Sequence, residues 1–399
     1  MTEIIDLGVY GSKFTVDPYP IYADLRERGP VHKVRTPEGQ EVWLIVGHDE
    51  AREALADSRL SKKPLPLLLG QAESGAGAFS NMLQSDPPQH TRLRKLVARE
   101  FTGRRIEALR PGIERVTGKL LDDMLAAPDH RADLVAALAF PLPITVIFEL
   151  LGVPTEDAAT FHAWSTDLMT PPNPMAEAAA AQNVATYLVK LAEDKRVNPG
   201  DDLLSALVGM ADGENDQLSD DELLGMCFLL LIAGHETTIN LISNGVRALL
   251  DNPRQLAALR EDLTLVDNAV EEMLRYDGAV ETSTDRITAE PVEIGGVVIP
   301  RHEYVLVALN AANRAPERFE APDEFDIRRD ARGHIAFGHG IHYCMGAPLA
   351  RMEAQIAIRA LVERCPTLEL DADPADLPWV SGMLIRGVRR LPVRWTPGH

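Results

Sequence analysis

Residues 337–351 read FGHGIHYCMGAPLAR, with three glycines and two histidines around Cys344. Ala347-Pro348 then opens a helical pattern, LARMEAQIAIRALVERC. Proline suits a first helical turn, where no amide hydrogen is needed for the ladder. Cys344 is therefore expected at the mouth of a helix N-terminus. Unbonded amide hydrogens and the helix dipole favour a thiolate there. Gly340 and Gly346 are expected to let backbone approach the sulfur closely. Such a sulfur can act as a nucleophile or as a metal ligand. The other two cysteines, Cys227 in an apolar helix and Cys365 late in a helix, read as buried structural residues.

A second constellation is Gly234-His235-Glu236-Thr237-Thr238, set inside the apolar stretch LLLIAGHETTINLI. Glycine costs a helix interior about 1 kcal/mol relative to alanine. A buried carboxylate costs several kcal/mol unless it is paired. Two readings are open from the residues alone. One is a helix kink, with threonine hydroxyls bonding back to the preceding turn. The other is a polar notch that holds water or a small ligand and moves protons, with Glu236 as the acid and Thr237 as the hydroxyl.

The elements that carry these groups can be read in outline. Ser219-Asp220-Asp221-Glu222 is a capping box, and Asn252-Pro253 ends the helix it starts. That helix has about 30 residues and spans roughly 45 Å. Apolar nearly all round, it is expected to be buried. VHKVRTPEGQEVWLIVG (31–47) reads as two strands about Pro37-Glu38-Gly39, and 288–309 as further strands with a hairpin turn at Gly295-Gly296. Residues 62–88 form a long, turn-rich, apolar segment of the kind that is usually functional. From His90 to about Leu250 the pattern is mainly helical, broken by MTPPNPM (169–175). No linker, repeat or low-complexity tract divides the chain. The expected architecture is one domain, 1–399, mainly α with a minor β region.

The chain carries 60 acidic and 40 basic residues, a net charge of −20. A surface of that sign repels nucleic acid and anionic lipid as a whole. The longest apolar run, from Cys227, is far short of the roughly 20 residues that span a bilayer. The opening MTEIIDLGVYGSKF has neither a basic n-region nor an apolar h-region, so a cytoplasmic protein without a membrane partner is expected. Three scattered cysteines exclude a disulfide framework, and without a CxxC pair a structural zinc site is not expected.

These motifs together carry a resemblance. Phe337-x-x-Gly340-x-His342-x-Cys344-x-Gly346 resembles the haem-binding signature of the cytochrome P-450 family at every fixed position. Ala233-Gly234-x-Glu236-Thr237-Thr238 resembles that family's oxygen-activating helix pattern. Glu272-x-x-Arg275 resembles its E-x-x-R pair, and Pro316-x-Arg318-Phe319 its P-x-R-F element. The order and spacing of all four agree over essentially the whole chain. The resemblance is closest to actinomycete hydroxylases and epoxidases of macrolides, of the pikromycin hydroxylase type, in SDPPQHTRLRKLVAREFT and AGHETTINLI.

The resemblance implies the family's mainly α fold, with haem b (iron protoporphyrin IX) between the long central helix and the cysteine-ligand loop. It makes the Cys344 thiolate the iron ligand, which pushes electron density onto iron and favours O–O cleavage. Amides around Met345 and Gly346 would tune that donation. Phe337 would pack on the proximal side of the ring, and Ala233 would face the haem. The propionates would be held by His90, Arg94, Arg286 and His342. His90 and Arg94, at i and i+4, share one helix face. Glu236 and Thr237 would relay protons to bound O₂. Glu272, Arg275 and Arg318 would form a buried cluster that holds the Cys344 loop, with Arg314 a lesser candidate.

The chain has no flavin or nicotinamide motif, so a separate ferredoxin or flavodoxin with its reductase is implied. Arg92, Arg94, Lys95, Arg99, Arg104 and Arg105 concentrate basic charge near 92–105 and suit docking of an acidic carrier. Family substrate contacts fall on Leu83, Gln84, Met169, Val280, Met383 and Leu384, with Leu67, Leu68 and Met82 nearby. Most are apolar, which suits a bulky hydrophobic substrate. Some macrolide hydroxylases bind an amino sugar through a glutamate where this chain has Gln84. A neutral amide cannot form that ion pair, so either another acid, such as Glu73 or Glu281, takes the role or the substrate is anchored differently. The activity implied is a monooxygenase that hydroxylates C–H or epoxidises C=C bonds. The alternatives are a peroxide-using peroxygenase, which Glu236-Thr237 argues against, and a non-catalytic haem sensor.

Overall fold

Reciprocal hydrogen bonds open the long helix that the sequence marks out. Ser219 N donates to Glu222 Oε2 at 3.1 Å, and Glu222 N to Ser219 Oγ at 3.2 Å. These are the two halves of a capping box. The helix runs Asp220–Asp251. It is long and apolar enough to cross a membrane, but 67% of its apolar window is buried inside the protein, as in a core helix.

The structure is a computed structural model that describes residues 3–69, 80–169, 173–211 and 218–396. The strands near the site are β1 (Ile5–Asp6), β2 (Val31–Arg35), β3 (Glu41–Ile45), β4 (Leu60–Ser61), β5 (Arg286–Thr288), β6 (Val292–Ile294), β7 (Val297–Ile299) and β8 (Tyr304–Val307). The helices are α1 (Gln89–Ala98), α2 (Pro141–Leu151), α3 (Ala158–Met169), α4 (Asp220–Asp251), α5 (Val266–Tyr276) and α6 (Ala347–Arg364). Helix predominates, as expected.

The chain divides into two units. The first takes residues 1–61, 117–139 and 237–399; the second takes 62–116 and 140–236. Helix α4 contributes to both, changing over between Glu236 and Thr237.

The first unit holds a six-stranded sheet in the order β1-β2-β3-β8-β5-β4. β2 and β3 pair antiparallel, with Val31 opposite Ile45 and Lys33 opposite Trp43. Trp43 and Ile45 enter one buried cluster, and Val42 and Leu44 another. Alternate side chains of a strand point to opposite faces, so β3 is covered on both. β6 and β7 form the expected hairpin, with Gly295 and Gly296 at φ +56° and +76°. Two successive positive φ values are what a two-residue type I′ turn needs.

In the second unit, α4 packs against α2 at a glycine. A Cβ on Gly234 would lie 2.8 Å from Ile147 Cδ1. The glycine in the polar notch therefore makes room for a neighbouring helix. The segment 62–88 contains a short helix at Leu65–Leu68 and a 3-10 turn at Met82–Gln84, while 70–79 lie outside the described residues.

Candidate active site

Cys344 is exposed and stands two residues before the Gly346 cap of α6. Its amide donates to Phe337 O at 2.9 Å, which closes the loop. Pro348 lies in the first turn of α6, where its missing amide hydrogen costs nothing. The glycines divide their work differently from expectation. Gly340 has φ +74°, and a Cβ there would lie 2.8 Å from Leu55 O and 3.1 Å from Ala56 Cα. It lets the loop pack on backbone. Only Gly346 faces the sulfur, at an ordinary 3.9 Å from its Cβ position.

Phe337 is fixed by a chain of contacts that the sequence did not reveal. The Arg351 guanidinium lies over its ring at 4.5 Å. Arg351 Nε donates to Glu271 Oε1 at 2.5 Å and Nη2 to Oε2 at 2.9 Å. His334 Nε2 lies 3.0 Å from Glu271 Oε2. Burial alone would raise the Glu271 pKa, but the bonds from Arg351 and His334 outweigh it and hold it down to about 2. The only sequence signal was the adjacency of Glu271 to Glu272 and of Arg351 to the cysteine motif.

The Glu-Arg cluster forms with a different third member. Arg275 and Glu272 are fully buried on α5, bonded at 2.6 and 2.8 Å. The arginine that completes them is Arg329, whose Nε lies 3.2 Å from Glu272 Oε1. Arg318 instead is exposed, donates to the Arg332 carbonyl and lies over Phe319. Phe319 is the buried part of that element, and Arg275 stacks on it at 5.4 Å. Arg314 bonds the Tyr276 carbonyl.

In the second unit, Glu236 is tied to α3. Ser165 Oγ donates to Glu236 Oε1 and lies 3.1 Å from His235 Nε2. His235 Nδ1 lies 2.6 Å from Leu231 O, one turn back along α4. Ala233 is exposed, while Thr237, at the start of the first unit's share of α4, is half-buried. Neither His235 nor Ser165 was singled out by sequence. His235 occupies a variable position of its motif, and Ser165 lies 70 residues away.

Each unit supplies cationic candidates. The second has His90, buried on α1, with Arg94 one turn on. Burial and the Arg94 charge both push the His90 pKa down. A neutral imidazole still donates one N–H to a carboxylate. The first has Arg286, buried on β5, whose Nη1 lies 3.5 Å from Leu60 O, and half-buried His342.

The substrate candidates also separate by unit. In the second, Asn81 Oδ1 accepts from Leu83 N at 3.0 Å and Gln84 N at 3.2 Å, which sets a turn that leaves Gln84 exposed. The side chains of Leu67 and Met169, and Glu73 entirely, lie outside the described residues. In the first, Val280 bridges to Ile385, Glu281 N donates to Leu384 O at 2.9 Å, and Thr282 Oγ1 to Met383 O at 2.9 Å. Leu384 is exposed, but Met383 is buried in the cluster of Leu7, Phe14 and Tyr22 and offers its backbone only. Glu281 cannot anchor an amine. It is buried, accepts from Tyr22 OH at 2.6 Å and lies 3.9 Å from Arg386 Nη1.

The basic segment is less uniform than its sequence suggests. α1 ends at Ala98 and the next helix starts at Gly103. Arg92 pairs with Glu222 and Arg105 with Glu100, although Arg105 itself stays exposed. Lys95, Arg99 and Arg104 remain exposed.

Comparison with known proteins agrees with this geometry. A family model described as Cytochrome P450 matches residues 16–379. The chain is similar to the cytochrome P450 monooxygenase PikC of Streptomyces venezuelae, 57% identical over 396 residues, covering 99% of this chain and 95% of the relative. It is similar to the 6-deoxyerythronolide B hydroxylase of Saccharopolyspora erythraea, 47% identical and covering 99% of each. The structure of the tirandamycin C-bound P450 monooxygenase TamI superposes with a TM-score of 0.90 at 46% identity, covering 98% of this chain and 100% of that one.

Proposed function

The chain belongs to the cytochrome P450 family of haem monooxygenases, and from that membership we propose that it inserts one atom of O₂ into a C–H or C=C bond of a macrolide or related polyketide. The observation that carries the substrate class is its 57% identity to PikC over nearly the whole chain. Its relatives also include a 6-deoxyerythronolide B hydroxylase and the polyketide biosynthesis cytochrome P450 PksS of Bacillus subtilis. We extend the reading to one catalytic domain over the whole chain, with haem b as the form of the cofactor.

The residues present fit that group. An exposed sulfur at the positive end of a helix suits a thiolate ligand, and His342 and a buried Arg286 in the same unit suit carboxylates. In the second unit, His90 and Arg94 are further donor and cationic candidates. When bound, haem supplies the activation of O₂. Cys344 would hold the iron, and Phe337, clamped by Arg351, would keep the loop shaped around it. Glu236 would hold a proton and pass it toward the Thr237 hydroxyl. Leu83, Gln84, Val280 and Leu384 would contact substrate, with Met169 a further candidate. The exposed cations Lys95, Arg99 and Arg104 would receive an acidic ferredoxin or flavodoxin. A cytoplasmic location, where reduced carriers are available, belongs to the same reading.

Gln84 sharpens the substrate further. An exposed amide offers no charge to a protonated amine, and Glu281 is occupied within the fold. The substrate is therefore bound without an acid at either position. The test is a spin-shift titration of the holoenzyme with macrolides that carry or lack an amino sugar. Aglycones or neutral glycosides should bind at least as well as amino-sugar compounds, and Gln84→Glu should improve binding of the latter. A panel in which no macrolide or polyketide shifts the spin state, while a lipid or terpenoid does, overturns the substrate class.

A further inference from the structure

The tie between Glu236 and α3 has a fixed proton inventory. His235 and Ser165 are each 0% exposed, and the Glu236 side chain retains 15%. Ser165 Oγ lies between His235 Nε2, at 3.1 Å, and Glu236 Oε1. Nε2 is also 3.3 Å from the same carboxylate oxygen. The far ring nitrogen, Nδ1, meets the Leu231 carbonyl.

A carbonyl oxygen can only accept, so Nδ1 carries a hydrogen. Two links remain: Nε2 to Oγ, and Oγ to Oε1. Each needs one hydrogen, and serine owns one. The second must sit on Nε2 or on the Glu236 carboxyl. The cluster therefore holds one proton more than a neutral imidazole with an ionised carboxylate. Its net charge is zero in both arrangements, imidazolium with carboxylate or imidazole with carboxylic acid.

We propose that Ser165 and His235 form a proton store that reloads Glu236 during turnover. Both are positioning residues, acting through Glu236, and the inference rests on the reading of Glu236 as the proton donor. In reloading, the His235 Nε2–H bond breaks as an O–H bond forms at Ser165 Oγ. In the same movement the original Ser165 O–H bond breaks and one forms at Glu236 Oε1. Neutral imidazole and a carboxylic acid result, and no electrons move. When Glu236 gives up that proton, the cluster carries one negative charge. A solvent proton, entering by the exposed edge of Glu236, restores it.

The test has two arms. The first reads the inventory directly in the reduced, CO-bound holoenzyme, by ¹⁵N NMR of labelled histidine with His235→Gln for assignment, and by infrared bands assigned with Glu236→Gln. The sum of Nε2 protonation on His235 and carboxyl protonation on Glu236 should be one near neutral pH. A neutral His235 beside an ionised Glu236 overturns the proposal. The second arm reads coupling of electrons to product. Ser165→Ala should raise peroxide release relative to product at least about tenfold, a part of the roughly 10²–10⁴-fold that a positioned acid–base group supplies. Ser165→Thr, which keeps the hydroxyl, should restore coupling, and the substrate spin-shift Kd should stay the same. If Glu236→Gln uncouples but Ser165→Ala does not, the store is wrong and the role of Glu236 stands. If neither uncouples, the reading of Glu236 falls and the store with it.

Discussion

Arg329 lies against Glu272, its Nε 3.2 Å from Oε1, while Arg275 takes both carboxylate oxygens from the same helix. Glu272 also accepts from Asp326 N at 3.0 Å, so the two arginines and a backbone amide surround one buried charge. Arg275 in turn donates to the carbonyls of Asn313, Pro322 and Glu324. The cluster thus fastens the segment 313–329 to α5.

Removing a partner from a buried charge leaves the rest uncompensated. Glu272→Ala and Arg275→Ala should each cost about 3–5 kcal/mol, and Arg329→Ala most of that. Arg318→Ala should be close to neutral, because its guanidinium is exposed and bonds a surface carbonyl. Thermal unfolding and haem content of the purified variants check this. Equal losses for Arg318→Ala and Arg329→Ala would restore Arg318 to the cluster.

Gly340 meets the Leu55–Ala56 backbone in a left-handed conformation. Gly340→Ala adds a Cβ where backbone already stands and imposes a φ that alanine avoids. The expected loss exceeds about 1 kcal/mol and lowers haem incorporation. Gly346→Ala has space, since its Cβ would meet only the sulfur at 3.9 Å, and should retain more haem. The reverse order would show that Gly346 is the tighter position.

The proposal that Cys344 is the iron ligand is supported by its motif and its place before α6. Cys344→Ser should abolish the strongly red-shifted Soret band of the reduced, CO-bound protein. Cys227→Ser and Cys365→Ser should leave that band in place, because both thiols are buried elsewhere. A surviving band in Cys344→Ser overturns the assignment.

Glu281 gives a pH signature. Burial pushes its pKa up, and although Arg386 and the Tyr22 hydroxyl oppose this, it reaches about 7 from 4.5. Asp277 and Glu38 face it as well and push in the same direction as burial. The folded state therefore holds a proton that the unfolded chain has already released between these two values. Stability from this group is full below the unfolded value and is lost as pH rises toward 7. Glu281→Gln does not titrate, so its thermal stability should gain on the parent from pH 5 to pH 7.5. A constant difference across that range would show that Glu281 stays ionised.

Much of this was legible in the chain because it depends on neighbours in sequence. The Ser219–Glu222 box, the Gly295-Gly296 hairpin and the helix start after Cys344 are local events, set by backbone preference and side-chain reach. The polar groups of α4 were visible as an interruption of an apolar run, and they marked the chemistry.

What only the tertiary structure decided are pairings between distant segments. Which arginine meets Glu272 depends on how residues 313–329 lie over α5, and spacing cannot choose between Arg318 and Arg329. That Gly234 makes room for Ile147, that Glu281 is used up by Tyr22 and Arg386, and that Ser165 completes a proton count with His235 are all long-range contacts. Sequence by itself determined the reaction class, because the cysteine motif and the acid–hydroxyl motif are local patterns that carry the family resemblance, and the same resemblance is what implies Cys344 as the iron ligand. The partners that pair with and fasten those groups come from packing, since burial favours polar groups that find a partner wherever the chain brings one.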